Sequence, residues 1–138
     1  MTLRCRHESV ERNGSAFFRR ALPVLLLTLP STAFAHALLV RSEPAQRATL
    51  HAAPPAVRLW FSERLEPAFS SMEVLTARGE RVTQAHAAVP ANDGKLLELP
   101  LPPLSPGDYT VQYRVLSVDG HAVKGGYAFR VRESRTPR

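Results

Sequence analysis

Asp119 and His121, separated by one glycine in Ser117-Val118-Asp119-Gly120-His121, put a carboxylate and an imidazole two residues apart. In an extended segment residues i and i+2 project to the same side, so the two side chains converge. Gly120 permits whatever backbone geometry that convergence needs. By itself the pair is a weak signal, since such a loop is more often simply a polar turn. A third residue changes its meaning. Ala33-Phe34-Ala35 reads as a small-x-small cleavage site, and a cut after it makes His36 the first residue of the mature chain. A histidine in that position offers its α-amine and its imidazole Nδ1 to one ion, a chelate preorganised by covalent bonds. The ordinary α-amine pKa is about 7.7–8.0, so a strongly held metal displaces the proton easily. One amine, two imidazoles and one carboxylate suit tetragonal Cu(II), which leads the divalent affinity order; Zn(II) or Ni(II) would enter the same set more weakly. The residues alone do not bring His36 to the loop.

The elements that must do the positioning follow from the rest of the chain. Residues 21–29 form a short apolar run after Arg19-Arg20, and Pro30-Ser31-Thr32 leads to the small-residue site. This order describes an export signal over residues 1–35. The run is interrupted by Pro23 and is far shorter than the roughly 20 residues a spanning helix needs, so an anchor is not expected. The Arg19-Arg20 pair has poor flanks for twin-arginine export, which favours the general secretory route. The only cysteine, Cys5, lies in this leader, so the mature domain must stand on its core without disulfide or thiolate. Of the formal net charge of +6, half belongs to the leader; the remaining arginines are scattered, which argues against nucleic acid as a partner.

After His36 no stretch keeps a helical period. Short alternating runs are separated by Pro, Gly, Asn and Asp, which predicts strands at residues 37–40, 57–61, 72–76, 81–83, 95–99, 109–115 and 127–131. The run Tyr109, Val111, Tyr113, Val115 against Thr110, Gln112, Arg114 is the clearest of them. Ala77-Arg78-Gly79-Glu80 reads as a hairpin turn. Six or seven such strands in one domain predict an all-β, two-sheet antiparallel β-sandwich over residues 36–132, with a frayed tail at 133–138. Trp60 is expected in the core, as are the tyrosines at 109, 113 and 127 and Phe129.

Several segments together resemble the CopC family of periplasmic copper-resistance proteins. The stretch from Ser105-Pro106-Gly107-Asp108-Tyr109 through Ser117-Val118-Asp119-Gly120-His121, followed by Gly125-Gly126-Tyr127-Ala128-Phe129-Arg130-Val131, is similar to the C-terminal half of that family. His36-Ala37-Leu38-Leu39, Ser42-Glu43-Pro44-Ala45 and Leu59-Trp60-Phe61-Ser62-Glu63 are similar to its first half. The resemblance implies an immunoglobulin-like, cupredoxin-like sandwich with one Cu(II) ion held by His36, Asp119 and His121. It also implies a periplasmic carrier, expected to be a monomer, that buffers copper or hands it to an inner-membrane copper-transport protein of the CopD type. Some family members add a methionine-rich loop for Cu(I). Here Met72 is the only methionine after Met1 and reads as a strand residue, so no Cu(I) site is expected.

Other polar residues carry less. By resemblance Glu63 is a candidate for the surroundings of the copper, the alternative being a solvated strand-end carboxylate. His51 and His86 read as exposed. Ser117 has no base or oxyanion hole beside it that would make it a nucleophile, and no catalytic role is expected. Two other functions remain in view. An N-terminal histidine plus a second histidine also describes the brace of copper-dependent polysaccharide monooxygenases, although a broad aromatic face is lacking and an Asp ligand would favour the oxidised metal. The other is a metal-free immunoglobulin-like interaction module.

Overall fold

A computed structural model describes residues 37–133. The expected leader 1–35, His36 and residues 134–138 of the expected tail lie outside the described residues.

Seven strands run in chain order as β1 (Leu39–Glu43), β2 (Thr49–Leu50), β3 (Ala56–Phe61), β4 (Ser71–Thr76), β5 (Leu96–Pro100), β6 (Gly107–Leu116) and β7 (Ala122–Val131), with one 3-10 turn at Pro67–Phe69. They form two sheets, ordered β1-β3-β5 and β2-β7-β6-β4. Alternation decides which side chains lie between them. Val57, Leu59 and Phe61 of β3 and Leu97 and Leu99 of β5 face Met72 and Val74 of β4, Val111 and Val115 of β6, and Phe129 of β7, all in one buried cluster. Burying each such side chain favours folding by about 1.5–3 kcal/mol. One aromatic pair ties the layers, Phe61 meeting Tyr113 edge to face at 5.4 Å, and within the four-stranded sheet Tyr109 stacks on its register partner Phe129 at 5.5 Å. Among the described residues no helix is long and apolar enough to cross a membrane.

The all-β sandwich expected from the alternation is the fold, with four local differences. The strand expected at 37–40 is β1 at Leu39–Glu43, because Leu38 bonds not to a strand but to Ser62, the residue after β3. The arm expected at 81–83 is reduced to a bridge between Leu75 and Arg81. Thr76 Oγ1 draws the amides of Arg78 and Glu80 into the turn, and the chain then leaves to bridge Glu98 of β5 through Ala88. The sandwich is also not wholly antiparallel, since β2, too short to show any period, pairs in parallel with Arg130 and Val131. Trp60 is not core. It alternates out of β3 and lies under the Arg41 guanidinium, 4.6 Å from the ring centre.

β7 begins five residues before the run that alternation reveals, because Gly125 and Gly126 interrupt the pattern. Both glycines sit where the sheet leaves no room. A Cβ on Gly126 would stand 2.7 Å from the carbonyl oxygen of Val111, and one on Gly125 would stand 2.3 Å from the Tyr113 hydroxyl. Backbone cannot give way as a side chain can. Gly126→Ala is therefore expected to cost about 1–3 kcal/mol, read as a lowered thermal midpoint. An unchanged midpoint would show that the ladder relaxes freely at this position.

Candidate metal centre

The β6–β7 hairpin ends in Ser117–His121. Leu116 and Ala122 close the ladder, and the turn is held by Ser117 N donating to His121 O at 3.0 Å and Gly120 N donating to Ser117 O at 2.8 Å. Gly120 has φ +92°, a conformation that residues with a Cβ rarely adopt. The segment is thus a turn and not an extended stretch. Asp119 and His121 converge because Gly120 reverses the chain between them.

Their donor atoms meet. His121 Nδ1 lies 3.1 Å from Asp119 Oδ2, with both side chains somewhat over a third exposed. Two neighbouring ligands of a first-row ion with bonds of about 2.0–2.2 Å stand about 2.8–3.5 Å apart, so this spacing fits a shared cation as well as a hydrogen bond. The Ser117 hydroxyl, on a side chain almost fully buried at 1% exposure, donates to Asp119 Oδ1, and the His121 amide approaches the same oxygen at 3.4 Å. Chiefly through the Ser117 bond, with His121 adding to it against some desolvation, the Asp119 carboxyl is held below the usual carboxylate range. An ionised carboxylate at neutral pH is a ready oxygen donor. Ser117 orients it, a role not foreseen from the sequence although the serine stands two residues before the aspartate in the motif.

The first described residues reach the same end of the sandwich. Ala37, the first described residue, is fully buried in the core, and Leu38 is gripped on both sides by Ser62. Its amide donates to Ser62 Oγ at 3.0 Å, and its carbonyl accepts from Ser62 N at 2.9 Å. Two residues further on, Arg64 O accepts from Val118 N at 3.0 Å, and Leu65 bridges to Ser117. The strap Ser62–Leu65 therefore clasps Leu38 with one end and the Ser117–His121 turn with the other. Two residues of extended chain span at most about 7 Å. Lys95 Nζ braces the strap by donating to Ser62 O at 2.8 Å. No periodicity could have revealed the strap, because it is made mainly of backbone bonds, with the Ser62 hydroxyl beside them, between residues far apart in sequence.

Of the sequence-derived candidates, Asp119 and His121 are together, and His36 lies outside the described residues. Glu63 is half-buried in the strap between Ser62 and Arg64. His51 is exposed just beyond β2, which pairs with the end of β7 remote from the loop. His86 is exposed in a cleft beside Met72, Glu73 and Arg81, and Met72 is a strand residue as read, buried in β4. Among the described residues no group of three or more His, Cys, Asp or Glu side chains is assembled for a metal. Asp119 and His121 supply two donors, and further donors have to come from elsewhere.

Comparison with known proteins identifies the lineage. Residues 39–132 match the model of the CopC domain, and the chain belongs to the CopC family. The Escherichia coli K12 protein YobA is 40% identical over 116 residues, covering 83% of this chain and 94% of YobA. Copper resistance protein C of Xanthomonas campestris pv. juglandis is 39% identical, covering 74% of this chain and 84% of that protein. The copper transport protein CutJ of Bacillus subtilis is 32% identical over 80% of this chain but only 20% of its own length. The crystal structure of CopC from Methylosinus trichosporium OB3b superposes with a TM-score of 0.69 at 37% identity, covering 75% of this chain and all of that one.

Proposed function

We propose that this protein is an exported carrier of one Cu(II) ion. In this reading residues 1–35 are a cleaved signal, residues 36–132 are the copper-binding domain, and the ion is held by the His36 α-amine and imidazole together with Asp119 and His121. The observation that carries the reading is the Ser62–Leu65 strap, which fastens Leu38 and the Val118 amide within a few residues of each other. His36 is two residues before Leu38, so its two nitrogens have only a short distance to cover. Nitrogen and oxygen donors in this number favour Cu(II), and with no thioether beside them they do not favour Cu(I). Reduction is expected to loosen the metal.

The family supports a copper role, since the Xanthomonas relative is named for copper resistance and the Bacillus relative for copper transport. In the latter the matched region is a fifth of a much longer chain, so there the domain is covalently joined to further sequence of a copper transporter. That fusion supports a route in which the separate periplasmic domain delivers copper to an inner-membrane partner of the CopD type. A donor set at a terminus and a loop, on the rim of a sandwich, is reachable by such a partner. The chemistry is binding and release without turnover. Every ligand must be deprotonated to bind, so acid releases the ion.

Titration of the processed domain, beginning at His36, with Cu(II) tests the proposal. One equivalent is expected to bind near neutral pH with an EPR spectrum showing nitrogen coupling, and Zn(II) is expected to compete weakly. No binding of Cu(II) would refute the carrier and leave an immunoglobulin-like module.

A further inference from the structure

Beside the metal loop, on the outer face of the four-stranded sheet, two cations stand directly opposite each other. Arg114 of β6 pairs with Lys124 of β7, two residues before the Leu116–Ala122 pair that closes the hairpin, and both are exposed. Like charges directly opposite on a sheet destabilise it. No carboxylate relieves them here. The acids on that sheet face are already taken, Glu73 by Arg81 at 2.6 Å and Asp108 by Arg130 at 2.5 Å. Among the described residues neither Arg114 nor Lys124 makes an ion pair.

An apolar step adjoins the cations. Arg114, Leu116 and Ala122 line a cleft together with Phe69 from the 3-10 turn. Phe69 is 66% exposed, and Val118 in the metal loop is 59% exposed. The turn Pro67–Phe69 has no buried residue, so Phe69 does not serve the core. Isolated exposed hydrophobic residues are ordinary. An aromatic next to an arginine, beside a second cation that also lacks a counter-charge, has the composition of an interface hot spot.

We infer that the face formed by Phe69, Arg114 and Lys124 docks an acidic, apolar-tipped segment of the protein that receives the metal. The inference rests on the carrier reading and deepens it by naming the surface and the chemistry of its partner. Two strand residues separate the cations from the loop stem, about 7 Å, so a partner seated there has its own ligands within reach of Asp119 and His121. A lipid surface fits less well, because segments that hold to anionic headgroups carry about 4–8 basic residues and this face has two.

The test compares the unsubstituted protein with Arg114→Glu/Lys124→Glu and with Phe69→Ser, using far-UV circular dichroism and Cu(II) titration as controls. The probe is the CopD-type transporter of the same cell in nanodiscs of phosphatidylethanolamine and phosphatidylglycerol, with empty discs of the same lipids beside it. Both variants are expected to stay folded and to take up Cu(II) as the parent does. The parent is expected to bind the transporter in a salt-sensitive manner, the double variant about thirtyfold more weakly and Phe69→Ser about tenfold more weakly. Equal binding by the double variant would overturn the inference. Failure of the Cu(II)-competent parent to bind the transporter would overturn it too, and parental binding to empty discs as tight as to loaded ones would assign the face to lipid instead. A parent that does not bind Cu(II) would remove the carrier reading and this inference with it, so the two failures are told apart.

Discussion

His121→Ala is expected to weaken Cu(II) binding by at least about a hundredfold while leaving the fold intact. Loss of groups that merely orient a metal ligand costs about 10–100-fold, and loss of a ligand itself belongs at or beyond the top of that range. The imidazole reaches Asp119 at 3.1 Å and is not among the buried residues of the core. What the turn needs from position 121 is backbone: its carbonyl holds Ser117 N, and its amide approaches Asp119. Alanine keeps both. A β-type circular dichroism spectrum with affinity lost is therefore the expected pair of results, by metal titration and far-UV spectroscopy. Undiminished affinity would take His121 out of the site.

Phe129→Ala should do the reverse. Phe129 is 2% exposed, is the largest of the fully buried side chains, and stacks on Tyr109 with ring planes 20° apart. Truncating such a side chain costs about 3–5 kcal/mol, against a total of about 5–15 kcal/mol for an ordinary domain. The only cysteine of the chain is Cys5, so no disulfide limits the loss. A fall of more than about 12 °C in the thermal midpoint is expected for a domain of this size. Phe129 pairs with Tyr109 near the end of the hairpin remote from the Ser117–His121 turn, which lies beyond Leu116. Cu(II) affinity measured below the new midpoint should therefore match the parent. A drop of only a few degrees would mean that the core closes over the gap.

The two variants divide the molecule as its sequence does. The long strands were legible because β6 and β7 bury every second residue over many positions, and that period survives any detail of packing. Where the period fails, the reading failed. Thr49-Leu50 is too short to carry one, and Gly125-Gly126 erase it although they lie inside β7. Trp60 lies outside the core although its size and apolarity suggest it, because neither says which side of a strand a residue takes. Its even register with Arg58, opposite Leu59 and Phe61, puts it outside under Arg41.

The candidate site was legible only in its local part. Asp119 and His121 lie so close in sequence that almost any backbone brings them near each other, although the reversal at Gly120 does this and not an extended segment. The Ser117 bond to Asp119 and the strap from Ser62 to Leu65 depend on tertiary placement. A strap held mainly by backbone bonds has no sequence signature, since every residue but proline carries the same amide and carbonyl. His36 rests on a different kind of pattern, the expected cleavage site after Ala35, which concerns processing and not packing.

The central claim is that a newly exposed amino terminus closes the copper site. The most direct test compares Cu(II) affinity and EPR of the domain beginning at His36 with those of the same domain carrying one extra residue before it. The extension turns the α-amine into an amide and removes a donor without touching Asp119 or His121. The expected result is a marked loss of affinity and a changed nitrogen-coupling pattern in the extended form. Identical affinity and identical spectra in the two forms would contradict the account.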